Sequence, residues 1–214
     1  MKITKLEHSG IVIEKNGENL IFDPVEFTEK LPSFLNVVAI ILTHKHSDHL
    51  QPGVISRILV DNPEAKIFTT EDTSSAINNA IVVKAGDSCN AGGFKLDFFG
   101  KDHAAIISGQ VPCENIGVVV DEKVVNSGDS FDLPDTKPEV LLVPIAAPWS
   151  KVSESIDFVK KAKPGVAIPV HDAVLSELGK KFNNNWVSKA CDEVGVKLVI
   201  LEPNSSVDLP SAIQ

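Results

Sequence analysis

Three imidazoles and a carboxylate fall within one hexapeptide, His44-Lys45-His46-Ser47-Asp48-His49, and few folds can use such a loop. It follows the apolar, β-branched run Val37 to Leu42, which reads as a buried strand, so the loop is held at a strand end. In a tight loop, His44 and His46 can aim ring nitrogens at one cation while Asp48 and His49 turn toward a second position beside it. A solvated histidine-rich loop is the competing reading. The chain has only 6 histidines, so finding half of them here by chance is rare.

The surrounding pattern is that of a mixed sheet protein. Gly10 to Ile13 and Leu20 to Phe22 read as strands, joined by Asn16-Gly17-Glu18-Asn19, whose Asn-Gly pair tolerates the positive φ angles of a tight hairpin. After His49, Pro52-Gly53 leads into Val54, Ile55, Ile58 and Leu59 at helical spacing, predicting a helix over about residues 53 to 61. Further strands are expected at Lys66 to Thr69, Ile81 to Lys84, Phe94 to Phe98, Ile116 to Val120, Lys123 to Asn126, Leu141 to Val143, Val166 to Val170 and Leu198 to Leu201. Helices are expected at Asp72 to Asn79, Val152 to Ala162, Val174 to Phe182 and Trp186 to Val194, and the polar tail from Asn204 to Gln214 reads as fraying. No linker or low-complexity tract divides the 214 residues, a length that suits one domain, 1–214.

Charge and composition narrow the function. With 20 basic and 29 acidic residues the formal charge is −9, and Arg57 is the sole arginine, so phosphate backbones meet a repulsive field and almost no guanidinium forks. Cys89, Cys113 and Cys191 have no C-x-x-C spacing and read as plain thiols. The N-terminus lacks the apolar core of an export signal and no run approaches bilayer length, so the expectation is a cytoplasmic protein without a membrane partner.

At this point the chain resembles the metallo-β-lactamase superfamily, whose hallmark H-x-H-x-D-H is followed by single Asp and His residues. The family pattern's early Asp is matched by Asp23 in Ile21-Phe22-Asp23-Pro24 and its mid-chain His by His103 in Lys101-Asp102-His103. Its Gly-Asp pair is matched by Asp129 in Ser127-Gly128-Asp129-Ser130, and its late His by His171 in Ile168-Pro169-Val170-His171-Asp172. Taken singly, each of these is more often a turn residue or a satisfied structural histidine. All occur in order, each just past an apolar segment, where loops at strand ends gather distant side chains.

The resemblance implies an α+β fold, a four-layer αββα sandwich of two mixed sheets packed face to face with helices outside. It also implies two divalent metal ions: His44, His46 and His103 on the first, Asp48, His49 and His171 on the second, Asp129 bridging, and Asp23 orienting ligands from behind. Imidazole and carboxylate without thiolate suit zinc, manganese or iron. His8, in Leu6-Glu7-His8-Ser9-Gly10, is similar to a branch with a Gly-His pair before the first Asp, which includes ascorbate-phosphate lactonase and phospholipid-cleaving phosphodiesterases; Glu7 stands in place of that Gly. For His8 both a supporting partner of the ligands and an ordinary strand residue stay open.

Two such cations would lower the pKa of a shared water toward neutrality, giving a hydroxide nucleophile, with Asp48 able to take its proton. Two dications less Asp48, Asp129 and hydroxide leave a pocket of roughly +1, so the expected substrate is a small anionic ester, lactone or phosphodiester. The chain has no tyrosine, so a lactone carbonyl would be polarised by metal alone. β-Lactam hydrolysis fits poorly without an export signal. An RNA-processing nuclease of the same superfamily, and a non-catalytic metal-binding module, are the alternatives; the charge of −9 counts against the former.

Overall fold

The computed structural model describes residues 1–209. One sheet joins β1 (Lys2–Lys5), β2 (Ile11–Lys15), β3 (Glu18–Phe22), β4 (Val37–Ile41), β5 (Lys66–Thr69), β6 (Ala80–Val82) and β14 (Ser206–Asp208), in the order β14-β1-β2-β3-β4-β5-β6. The other joins β7 (Ser88–Ala91), β8 (Phe94–Phe99), β9 (Gly117–Val120), β10 (Val124–Asn126), β11 (Val140–Pro144), β12 (Val166–Val170) and β13 (Lys197–Leu198), in reverse chain order. Each sheet is antiparallel on one side and parallel on the other, the change falling at β3–β4 and at β10–β11. The helices are α1 (Pro52–Asp61), α2 (Glu71–Ser74), α3 (Val152–Ala162) and α4 (Glu177–Val194).

Strand periodicity explains the layering. Because side chains alternate across a strand, Leu20 and Phe22 of β3, Ala39 and Ile41 of β4, Val118 and Val120 of β9, and Val166 and Ile168 of β12 meet in the core between the sheets. Their neighbours point outward. Ile21, Ile40 and Ile67 pack against Val54, Ile55 and Ile58 of α1, whereas Val119, Leu141, Val143 and Ala167 pack against Phe158 and Val159 of α3 and Val187 and Cys191 of α4. The parallel strands β4, β11 and β12 are covered on both faces, which is why they read as continuous apolar runs. The result is the αββα sandwich.

Local signals were obeyed where turn chemistry was explicit. Asn16 and Gly17 adopt φ of 54° and 80°, as the hairpin requires, and Pro occupies the first turn of α1. Elsewhere the expectations need correction. The helix expected over Asp72 to Asn79 is a single turn, Glu71–Ser74, because Ser and Asn prefer to bond their own backbone and Asn79 turns to φ 58°. Conversely, the two helices expected across Val174 to Val194 are one, starting after the Ser176 cap. Its Asn183-Asn184-Asn185 run reads as a break, yet Asn183 Nδ2 donates to the Ile145 carbonyl and Asn184 is buried, so tertiary contacts override propensity. The Leu198–Leu201 strand is only Lys197–Leu198. The tail does not fray throughout: Ser206–Asp208 pairs antiparallel with β1, while 210–214 lie outside the described residues. Strands β1 and β7 were also missed, being short and half polar. Among the described residues, no helix is long and apolar enough to cross a membrane.

Candidate metal centre

The strand ends at one rim of the sandwich deliver the side chains. β3 leads into Asp23, β4 leads through Thr43 into the hexapeptide, β10 leads into Ser127-Gly128-Asp129, and β12 leads into His171. His103 comes from the segment after β8 and His8 from the turn between β1 and β2. The backbone is bent to do this: His8, Asp23 and His171 hold φ of 57°, 42° and 58°, a left-handed conformation that non-glycine residues keep only when their surroundings impose it. Gly128, at φ 58°, is obligatory, because a Cβ there would lie 2.3 Å from Asn115 Oδ1 and 2.8 Å from Thr43 Cβ.

All seven ligands expected from the sequence, together with His8, fall into two adjoining groups. His44, His46, His103 and Asp129 form one, and His8, Asp48, His49 and His171 the other, the potential ligand atoms within each lying within 4.8 Å of one another. Asp129 faces both. Its Oδ2 lies 3.3 Å from His103 Nε2, 3.0 Å from His171 Nε2 and 3.9 Å from His44 Nε2, and its Oδ1 lies 3.1 Å from His49 Nε2. Asp48 is at the mouth, half-buried, with Oδ2 3.8 Å from His171 Nε2. Asp23, fully buried, stands behind: it accepts from the Thr43 backbone N–H and hydroxyl, both at 2.8 Å, and from His49 Nδ1 at 2.9 Å.

These groups suit a cation better than they suit each other. His44 Nε2, His49 Nε2, Asp129 Oδ1 and His8 Nε2 are buried without a hydrogen-bond partner, and the 3.1 Å between His49 and Asp129 lacks hydrogen-bond alignment. Buried polar atoms left orphaned are costly, so His44 Nε2, His49 Nε2 and Asp129 Oδ1, drawn from the two adjoining groups, mark a place where something with positive charge belongs; His8 Nε2 faces Asp48 Oδ2 at 3.4 Å. The electrostatics agree. Burial, reinforced by neighbouring imidazoles, pushes His44 well below the ordinary histidine range and His46 below it, keeping both neutral and ligand-ready. Burial favours protonated Asp129, but His49, His103 and His171 outweigh it and hold the carboxylate ionised. Asp48 is lowered by His8 and His49 against the same burial penalty. Burial disfavours the charge on His49, yet Asp129 and Asp23 raise it well above the ordinary range, the response of a ring between two carboxylates.

Four supporting residues escaped the sequence reading. Trp149 Nε1–H donates to Asp129 Oδ2 at 2.8 Å, and its ring lies edge-on to His103 and His171. Asn115 Oδ1 accepts from the Asp129 backbone N–H, and buried Lys5 pairs with Asp172 beside His171. Cys113 Sγ sits 3.7 Å from His46 Nε2. Trp149 had one legible signal, its place just past β11 as one of 2 tryptophans; the others had none. His8 is corrected in one respect: it lies in the turn beyond β1 and is not a strand residue.

A small cavity of about 120 Å³ opens beside His46 and His103, walled by Ile106, Ile107, Val111 and Cys113. The wider depression at the other end of the sandwich, about 530 Å³, is lined by Lys15, Lys95, Asp121 and Lys123 and has no imidazole. Since Trp149 touches Asp129 and Trp186 is half exposed on α4, a paramagnetic ion such as Mn(II) is expected to quench the indole fluorescence only in part, with one of the 2 tryptophans within reach. Trp149→Phe should abolish the metal-dependent part in a titration; a quench that survives would place the ion elsewhere.

The paired His/Asp groups can hold metal, and the comparisons with known proteins make this chain a metal-dependent hydrolase. Residues 2–171 match the family described as Beta-lactamase superfamily domain, and the chain belongs to this superfamily. It is 30% identical over 183 residues to the Mycobacterium tuberculosis protein Rv0786c, covering 82% of this chain and 86% of that one. It is 28% identical to a UPF0173 metal-dependent hydrolase of Sulfolobus acidocaldarius, covering 95% and 97%. The solved structure of Igni18, a metallo hydrolase from the archaeon Ignicoccus hospitalis, superimposes with a TM-score of 0.72 at 20% identity, covering 96% and 97% of the two chains.

Proposed function

We propose that this hydrolase holds two divalent cations and cleaves a small anionic ester, lactone or phosphodiester. In this reading His44, His46 and His103 hold the first ion, Asp48, His49 and His171 the second, and Asp129 faces both. The observation that carries it is the shared carboxylate: Asp129 stands within 3.9 Å of His44, His49, His103 and His171, two members of each group, so one ion alone would leave half the buried donors unused. Zinc, manganese and iron all fit imidazole and carboxylate ligands. Bound metal would supply a hydroxide near neutral pH and polarise the bond to be cut.

The chain's own residues supply the rest. Asp48, half exposed at the mouth and held ionised, is the group that can accept the nucleophile's proton. Asp23 fixes the Nδ1 proton of His49, and Thr43 passes the same constraint to His44, so both rings keep a lone pair on Nε2. Trp149 donates to Asp129, and Ile106 and Ile107 give the cavity beside His46 and His103 an apolar wall that leaves charge recognition to the metals. RNA is disfavoured: the charge is −9 and Arg57, the sole arginine, is paired with Glu26.

The test is a panel of a chromogenic phosphodiester, a carboxyl ester and a simple lactone, offered to metal-stripped protein reloaded with Zn(II), Mn(II) or Fe(II). Turnover of at least one class, dependent on metal and absent after chelation, is expected. Two bound equivalents without turnover of any would favour a non-catalytic module, and cleavage confined to RNA would favour the nuclease.

A further inference from the structure

By distance alone His8 qualifies as a further ligand of the second group, since its buried Nε2 converges with Asp48, His49 and His171. The partners on the other side of each ring decide otherwise. In His171 and His103, Nδ1 faces the carbonyls of Ala146 and Ala104; in His49 it faces Asp23; in His44 it faces Thr43 Oγ1, whose own proton goes to Asp23. Each is an acceptor, so with a cation set among the Nε2 atoms, which for His49, His103 and His171 otherwise face Asp129, each neutral ring carries its proton on Nδ1 and turns a lone pair on Nε2 inward. His8 is wired the opposite way. The backbone N–H of Ala173 donates to His8 Nδ1 at 3.2 Å, and an amide N–H has nothing with which to accept. The neutral His8 ring must therefore carry its proton on Nε2, 3.4 Å from Asp48 Oδ2, and a protonated nitrogen cannot ligate a metal.

We propose that His8 is a positioning residue that donates Nε2–H to Asp48, fixing the orientation of that carboxylate, and is not a ligand. This inference rests on the two-ion reading above. The residue is held in place: the His171 backbone N–H donates to the His8 carbonyl at 3.1 Å, and Phe27 packs edge-on against the ring at 5.6 Å. Glu7, next in the chain, accepts from the backbone N–H groups of Phe27 and Thr28. His8 and His171, both at positive φ, are thus one backbone unit, and the proton donor and the ligand are placed together.

Nitrogen-15 spectra of histidine-labelled, zinc-loaded protein read the assignment directly. The resonances lost in His8→Gln are expected to be those of a ring protonated at Nε2, with Nδ1 bare; a ring protonated at Nδ1 and bound through Nε2 would overturn the proposal. Metal titration gives a second readout. His8→Ala should still take up two equivalents at saturation but hold one of them about 10- to 100-fold more weakly, the size expected for removing a partner behind a ligand, and His8→Gln, whose amide can donate, should recover most of that loss. Loss of a whole equivalent at saturation would make His8 a ligand, and unchanged affinity would make it a bystander. If His8→Ala does not fold, His8→Gln decides alone, since a ligand role predicts the lost equivalent there too. Wild-type protein that binds no zinc would instead sink the two-ion reading itself.

Discussion

Asp129→Asn is expected to retain the fold, bind less than one equivalent of metal against the two proposed for the wild type, and lose more than about 100-fold in turnover, the upper end for removing a group that merely supports a ligand. Asparagine keeps the shape and can still accept from Trp149, so what changes is the charge facing four imidazoles. His46→Ala should act in the same direction from the more exposed side of the site. Metal content by mass spectrometry and rates on the responsive substrate are the measurements; full activity in both variants would refute the assignment. In metal-free protein the Asp129 carboxylate is held below its ordinary range, so it contributes stability above that range that is lost as pH falls through its lowered value. The variant's fold is therefore best verified by circular dichroism near pH 7 and well below its melting temperature.

Lys5→Ala is expected to cost about 3–5 kcal/mol in denaturant unfolding, because it leaves a buried carboxylate uncompensated. Lys5 is 1% exposed and reaches both oxygens of Asp172, at 2.9 and 3.0 Å. The double variant Lys5→Met with Asp172→Leu should recover most of that loss, since an apolar pair of similar volume avoids the desolvation of two charges. A cost under about 1 kcal/mol for Lys5→Ala would mean the pair behaves as a solvent-screened surface bridge. Because Asp172 follows His171 directly, the same variants should weaken metal retention, which the double variant need not restore.

How much of this was legible depended on how local each signal was. The hexapeptide is legible because its four groups are neighbours in the chain and its loop length fixes their geometry. Asp23, His103, Asp129 and His171 carry almost no local signal; only their order along the chain, each after an apolar strand, set them apart. Lys5, Asn115 and Trp149 act across 167, 14 and 20 residues of sequence, so nothing near them in the chain announces their partners. His8 is an intermediate case. Its neighbourhood in sequence was readable, but its role turns on a backbone amide 165 residues away that selects a tautomer. The fold errors share one cause: Asn183 and Asn184 keep α4 continuous through tertiary contacts, and β14 exists because β1 offers it an edge.

That last pairing bears on how the protein is made. Every proposed ligand has left the ribosome once His171 has emerged, yet the outer edge of β1, whose far end leads straight into His8, stays open until Ser206–Asp208 arrive. A chain interrupted between these points carries a complete set of donors on a sheet whose four-residue first strand is free to recruit a neighbour, and the arrival of Ser206–Asp208 covers that strand and leaves a shorter edge, a poorer template for unwanted pairing.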